Sequence, residues 1–172
     1  MSYSVTGSRI VELTFKATAD DTIAIATDVA NTRSSSTQSY SNGTGDEQIN
    51  QHFRTEDSLT AGSGFVDFDL SLLTNRMNDL AGFSFVKEIY IRNVESETGA
   101  SLVISPSPSN GWTAPFKGVA TSEVEIPPGG YWGTSSPYAG FPVTTGSRRL
   151  RFTHDGASAG SITYQVIFLG LS

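Results

Sequence analysis

The chain has 172 residues, carries a net charge of −6 and contains no cysteine. This length suits one domain whose core forms without disulfide bridges, and the lack of cysteine excludes thiolate metal sites. A negative chain is repelled by nucleic-acid phosphates, and no stretch reaches the about 20 apolar residues that span a bilayer, so we expect no nucleic-acid or membrane partner. The N-terminus lacks the basic start and apolar stretch of a signal peptide, which predicts a protein made in a cytoplasm.

The N-terminal part of the chain predicts an arm followed by two strands. Residues 1–8 are small and polar, and we expect an extended N-terminal arm, with 9–172 forming a single domain. Over 9–15 a wholly apolar face alternates with a mixed one, as in a strand with one buried side. The segment 22–27 repeats this alternation and predicts a second strand.

The segment 31–46 contains one aromatic side chain and no aliphatic one. Such a segment cannot bury enough apolar surface to fix its own backbone, so we expect a long polar loop. The pair Asn42-Gly43 also favours a type I′ turn, which leaves a hairpin with polar strands as the alternative. In either case a long polar segment on a compact body is where contacts with partners concentrate.

The remainder of the chain reads as short strands separated by glycine and proline. Leu72, Leu73, Met77 and Leu80 have helical spacing, which predicts one short helix. Strand patterns recur over 65–70, 83–94, 100–104 and 119–126, and in several patches after residue 126. About eight to ten such strands predict an all-β fold, an antiparallel two-sheet β-sandwich of jelly-roll-like type with at most one short helix.

The titratable residues show no pattern that demands catalysis. His154 and Asp155 could form half of a catalytic triad, but neighbouring strand residues point to opposite faces, and a histidine at the edge of a turn is the favoured interpretation. Two carboxylate pairs, Asp67 with Asp69 and Glu123 with Glu125, could bind calcium or act as a glycosidase dyad, or simply form a solvated strand face. We therefore expect no catalytic, metal-binding or cofactor-binding residue, and no enzyme.

The basic cluster Arg148, Arg149 and Arg151 lies in a strand pattern. Arg149 and Arg151 are two residues apart and share one face, while Leu150 and Phe152 take the other. The favoured interpretation is an outer strand face whose arginines pair with carboxylates on a neighbouring strand. The alternative is a surface for an acidic partner.

Aromatic residues near proline and glycine have three interpretations. They could cover the core as a lid, form a protein interface or provide a platform for a sugar. Together with residues of the arm and of the polar loop, they make up the candidate interface: Tyr3, Val5, Arg33, Tyr40, Trp112, Tyr131, Trp132, Tyr138 and Phe141.

Residues 83–170 resemble small virion proteins of tailed bacteriophages. The resemblance rests on IPPGGYW at 126–132, FPVTTGS at 141–147, LRFTHDG at 150–156 and SITYQVIFLG at 161–170, with Trp112 ahead of the Pro-Gly-Gly turn. It does not extend to residues 1–82, and the arginine-rich strand at 148–151 departs from the pattern.

This resemblance implies a non-enzymatic capsid decoration or cement protein, located in the virion and bound to its outer shell. Its partners would be the major capsid protein or other virion subunits, and it would form a homo-oligomer, with a trimer favoured. The alternative is a carbohydrate-binding module or a tail or fibre component that uses the loop aromatics.

Overall fold

A computed structural model of the chain describes residues 7–20, 27–61, 64–74, 82–95, 99–155 and 160–172, with backbone alone before Gln38. The described residues are mostly β-strand and contain no α-helix, so the predicted all-β class is confirmed. One turn of 3-10 helix spans Ala114–Phe116. No helix in the described part of the chain is long and apolar enough to cross a membrane.

The described strands have the following bounds in chain order: β1 (Gly7–Asp20), β2 (Thr27–Asn42), β3 (Gln48–Ile49), β4 (Gln51–Leu59), β5 (Phe65–Asp69), β6 (Phe85–Asn93), β7 (Leu102–Pro106), β8 (Val124–Ile126), β9 (Tyr131–Ser135), β10 (Phe141–Pro142), β11 (Arg149–His154) and β12 (Ile162–Leu171). They form three sheets. The first has the order β1-β2-β3, the second the order β10-β6-β12-β4 with β9 also paired to β6, and the third the order β5-β11-β7-β8.

Strand pairs in the second and third sheets are nested along the chain. Strand β4 pairs with β12, β5 with β11, β6 with β9 and β7 with β8, all antiparallel. The pairing order is that of one long hairpin. Its first arm contains β4 to β7, its second arm contains β8, β9, β11 and β12, and its closed end lies between β7 and β8. From β4 to β7 each successive strand lies in the other sheet, so the second and third sheets are connected at every step.

One hydrophobic core contains side chains from both of these sheets. Phe68 of β5 lies edge-on to Phe53 of β4 and to Tyr164 of β12, with ring centroids 6.1 and 6.2 Å apart. Phe152 of β11 contacts the same Tyr164 at 5.2 Å. Buried and partly exposed residues alternate along all of β12, which is the pattern of a strand with one face toward a core.

A buried amide fixes one end of this core. Asn93, at the end of β6, is fully buried. Its side-chain nitrogen donates hydrogen bonds to the carbonyls of Ala100 and Ile126 at 2.8 and 3.2 Å, and its side-chain oxygen accepts one from the Glu95 amide. These bonds satisfy a polar group that would otherwise be costly to bury, and they join the ends of three segments.

The polar segment 31–46 differs from the predicted long loop. Residues 31–42 belong to β2, which pairs with β1 from Gly7↔Tyr40 to Asp20↔Thr27. A strand needs no aliphatic side chains when its neighbour supplies backbone partners at every position, and serine and threonine tolerate that conformation. The turn after Asn42 leads into β3, which runs parallel to β2, so the hairpin at Asn42-Gly43 does not form either.

Other predicted elements lie partly outside the described residues. Gly7 and Ser8 of the predicted arm belong to β1, and residues 1–6 lie outside the described part. The predicted strand over 22–27 falls outside it as well, except for Thr27 at the start of β2. Of the predicted helix, residues 72–74 have irregular backbone and the remainder is outside the described residues.

A β-bulge interrupts the pairing of β6 with β12. Leu169 lies opposite Glu88 and Gly170 opposite Val86, so Lys87 is an extra residue on β6. A side chain at Gly170 would collide with the Phe85 carbonyl oxygen and come within 3.0 Å of the Val86 backbone. Glycine at this position therefore permits the two strands to approach at the bulge.

We predict that Gly170→Ala lowers the free energy of unfolding by about 1–3 kcal/mol, because the added methyl group meets backbone that cannot move aside. Chemical denaturation followed by tryptophan fluorescence measures the change. The matched control is Gly146→Ala, where an added methyl group meets nothing within 4 Å. Equal stability of the two variants would contradict this account of the bulge.

Candidate functional site

The arginine cluster pairs with carboxylates on the neighbouring strand. Arg149 and Arg151 of β11 lie directly opposite Asp69 and Asp67 of β5. Arg151 donates two hydrogen bonds of 2.8 Å to the two carboxylate oxygens of Asp67, and Arg149 donates one of 3.2 Å to Asp69. The predicted outer strand face with paired charges is confirmed for these residues.

These ion pairs shift the carboxylate pKa values. The hydrogen bond from Arg151 is the largest influence on Asp67 and holds its pKa below the ordinary value of 3.8. Burial opposes ionisation of Asp69, but hydrogen bonds from Ser71 and Arg149 outweigh it and also lower the pKa of that carboxylate. Both groups therefore stay ionised to lower pH in the folded protein than in the unfolded chain.

A lowered folded-state pKa means that the pairing stabilises the protein above about pH 4, and that this stabilisation is lost as the pH falls through the folded pKa values. We predict that the wild type loses thermal stability between pH 5 and about pH 2. Asp67→Asn should lower Tm by about 2–4 °C at pH 7. The further decrease in its Tm between pH 5 and about pH 2 should be smaller than that of the wild type. Circular dichroism measures both.

The control for this measurement is Glu125→Gln on β8, an exposed carboxylate outside the arginine cluster. It should leave Tm at pH 7 within about 1 °C of the wild type. An acid response of Asp67→Asn identical to that of the wild type would show that this ion pair does not stabilise the fold.

His154 is the last residue of β11, and it is buried. Its Nε2 lies 2.8 Å from the Gly160 carbonyl oxygen, and its Nδ1 lies 3.5 Å from Asp155 Oδ1. Asp155 accepts a hydrogen bond from the Ser101 amide. Both ring nitrogens thus face nearby groups of the chain, which favours the interpretation as a structural histidine at the end of the strand. No group of three metal-ligating side chains occurs among the residues that the structure describes.

Three of the predicted interface aromatics pack against the interior. Trp112 is fully buried and donates its indole N–H to the Pro142 carbonyl at 2.8 Å, with Phe141 edge-on to its ring at 6.2 Å. Trp132 is half-buried and stacks on Phe116 at 5.7 Å. For these residues the geometry favours the core and lid interpretation.

The remaining predicted interface residues have different surroundings. Tyr131 and Tyr138 are 61% and 62% exposed and are the accessible aromatics of the set. Tyr40 is buried. Arg33 lies in β2 opposite Thr14, with no side chain described, and Tyr3 and Val5 lie outside the described residues.

Tyr131 belongs to a surface that the sequence reasoning did not assemble. Its ring stacks with that of Tyr90 on β6, with centroids 5.8 Å apart and planes at 23°. Across the strands, Arg92 lies opposite Tyr131, and Gly133 lies opposite Tyr90. We call Tyr90, Arg92 and Tyr131 the tyrosine face of the second sheet. The alternation along β6, which places Tyr90 and Arg92 on the side away from Ile89 and Ile91, is the sequence signal that could have identified it.

The tyrosine face combines aromatic surface with hydrogen-bonding groups. Arg92 is exposed beside the ring pair, and on the adjoining strands Gln165 donates a 2.7 Å hydrogen bond to Glu56. Aromatic rings flanked by planar polar groups can stack against a sugar ring while bonding its hydroxyls, and they also suit a protein interface.

A second feature on the same side of this sheet is the attachment of the β1–β2 hairpin, which we call the arm hairpin. The bulge on β6 places Lys87 and Glu88 beneath its end. Tyr40 donates a 2.9 Å hydrogen bond to Glu88, and Lys87 donates one of 2.6 Å to the Gly45 carbonyl. Tyr40 also packs with Ile49 and Leu169.

Lys87 is an unusual residue for this position because it is almost completely buried. Burial lowers the pKa of its ammonium group, and the nearby carboxylates of Asp46 and Glu47 act against this shift. A buried lysine persists when its charge is balanced and its hydrogen bonds are satisfied. Lys87 therefore fixes the turn after β2 to the second sheet.

No family model matches the chain, and no curated protein matches it at a significant level.

Proposed function

We propose that this chain is a non-enzymatic structural protein of a tailed-bacteriophage virion, and that it decorates the capsid by binding the major capsid protein or neighbouring subunits on the outer shell. The resemblance of residues 83–170 to small virion proteins suggests this assignment. The observation that carries it is the combination of a two-sheet body and an arm hairpin joined to that body at its end by Tyr40 and Lys87.

The body supports the proposal through its topology. We infer that β4 to β9 with β11 and β12 form a jelly roll, a sandwich of two four-stranded sheets, because their strands pair in nested order and alternate between sheets. Jelly rolls are a common architecture of viral capsid and lectin domains. Because fold alone does not imply function, the surface of the protein must also suit a binding role.

The surface supports binding over catalysis. Asp67 and Asp69, one of the two carboxylate pairs that could have formed a dyad or a cation site, are held by arginines in a structural arrangement. The accessible groups include the tyrosine face and the backbone of the arm hairpin, which offer contact area and hydrogen-bonding groups. Such features suit repeated contact with neighbouring subunits on a lattice.

The location of the chain in a particle tests this proposal. Virions purified from a lysate should contain the protein in a fixed ratio to the major capsid protein, and immunogold electron microscopy with an antibody to the full chain should label the head. Label on the tail would overturn the capsid assignment and favour a tail component. A particle without the protein would overturn the virion assignment altogether.

The tyrosine face favours one second candidate, a carbohydrate-binding module. Tyr90 and Tyr131 form an open aromatic pair, whereas Trp132 packs inward on Phe116 and is a poorer candidate for contact with a sugar. In this function the ring pair would stack on a pyranose, and Arg92 would bond its hydroxyl or carboxylate groups.

If the chain binds glycans, Tyr131→Ala should weaken binding on a glycan array at least about tenfold, because it removes half of the stacking surface. Tyr138→Ala is the matched control, since Tyr138 is equally exposed but is not part of the ring pair. Wild-type protein that binds no glycan, or equal losses in both variants, would reject this second function.

A further inference from the structure

Among the strands that the structure describes, β1 is an edge strand. It lies at the end of the order β1-β2-β3, and all fourteen of its residues pair with β2. In the part of the chain that the structure describes, no strand joins its other edge. A long row of backbone N–H and C=O groups of this kind is a template for pairing with another strand.

The arm hairpin also needs a further partner for its stability. Two strands alone form a marginally stable unit in water, and a third strand or a packed surface is normally required. The ladder from Gly7↔Tyr40 to Asp20↔Thr27 extends about 45 Å at the usual rise per residue. Strand β3 pairs with β2 only at Ser41 and Asn42, beyond the end of this ladder, so no third described strand joins the ladder.

The residues of β1 are complementary to a second copy of themselves in one antiparallel register. Alternation places Val11, Leu13 and Phe15 on one face and Glu12, Thr14 and Lys16 on the other. Directly opposite residues of an antiparallel pair share a face, so only registers whose paired numbers have an even sum keep the apolar face continuous.

Charge favours one register among those that pair most of β1. When paired numbers add up to 28, Glu12 lies opposite Lys16 of the second copy, Lys16 lies opposite its Glu12, and Leu13 lies opposite Phe15. When the paired numbers add up to 24, Glu12 lies opposite Glu12 of the second copy, and when they add up to 32, Lys16 lies opposite its Lys16. Both arrangements place like charges together and are repulsive. Sums of 26 and 30 place both charged residues opposite uncharged ones.

Neither charge has an opposite charge directly across the ladder inside the hairpin. Glu12 lies opposite Ser35, and Lys16 lies opposite Asn31. In the register with a sum of 28, a second copy places an opposite charge directly across from each of them.

We propose that two copies of this chain associate through β1 in this register, and that they form a four-stranded antiparallel sheet with the order β2-β1-β1-β2. The two-fold axis passes through Thr14, and Val11, Leu13, Phe15 and Ala17 of both copies share one face. This association needs no virion location, so it stands or falls separately from the proposed function.

The pairing predicts two-fold symmetry, which distinguishes it from the trimer that the resemblance to virion proteins implies. Antiparallel pairing of identical strands requires a two-fold axis, and a three-fold axis cannot produce it. Sedimentation velocity of the full chain should give the mass of two copies. A mass of one or of three copies over the micromolar range would overturn the proposal.

Crosslinking tests the register, since the natural chain has no cysteine. Thr14→Cys should form an intermolecular disulfide rapidly under mild oxidation, because opposite Cα atoms in an antiparallel pair lie about 4.5–5.5 Å apart. Thr18→Cys is the matched control on the same face of the same strand, and its two copies would lie about 27 Å apart. Equal crosslinking of both variants would reject this register.

Charge reversal provides a second, independent measurement. Glu12→Lys and Lys16→Glu should each raise the dimer dissociation constant about tenfold or more, because each creates two like-charge pairs. The double variant should restore the wild-type value. Single variants that dimerise as tightly as the wild type, or a double variant that fails to recover, would show that this charge pairing does not hold the copies together.

Discussion

Strand β12 connects most of the packing in this protein. It pairs with β4 on one side and β6 on the other, so it holds the centre of the second sheet. Its inward side chains, including Tyr164 and Phe168, contact rings from the third sheet and from the same sheet. Its outward residues Gln165 and Leu169 reach β4 and the end of the arm hairpin. Because residues alternate along a strand, one segment stabilises both surfaces at once.

The two outer faces of the body use their polar residues differently. On the third sheet the arginines and aspartates bind one another, and Arg151 also lies over the Phe65 ring at 3.8 Å. These ion pairs help to hold β5 and β11 together. On the second sheet the exposed residues include the aromatic Tyr131 and the charged Arg54, Glu56 and Arg92. The buried polar residues Lys87 and Glu88 serve to attach the arm hairpin. The attachment of the arm hairpin and the tyrosine face both lie on the second sheet, so the proposed partner contacts are on this side.

The arm hairpin and the body suit one another as parts of an assembling protein. The body contains one core of buried apolar side chains from the second and third sheets. In the described part of the chain, the hairpin leaves one edge of β1 without a neighbouring strand. A protein built from such a body and such a hairpin can fold its body first. It can then associate through the arm hairpin, whose pairing with another chain does not disturb the core. This logic underlies both the proposed virion role and the proposed pairing of β1.

The sequence by itself determined the all-β class, most strand positions after residue 65 and the pairing chemistry of the arginines, because alternation and turn residues are local signals. It did not identify β2. This serine- and threonine-rich segment shows no alternation of apolar and polar residues, because that alternation occurs in its partner strand β1. It left open whether Trp112 lies in the core, and it did not bring Tyr90 beside Tyr131. The nested strand order, the bulge at Lys87 and the stacking of the two tyrosine rings were decided by the tertiary structure. They depend on which distant strands pair and in which register, and that choice comes from a core formed by residues far apart in the chain.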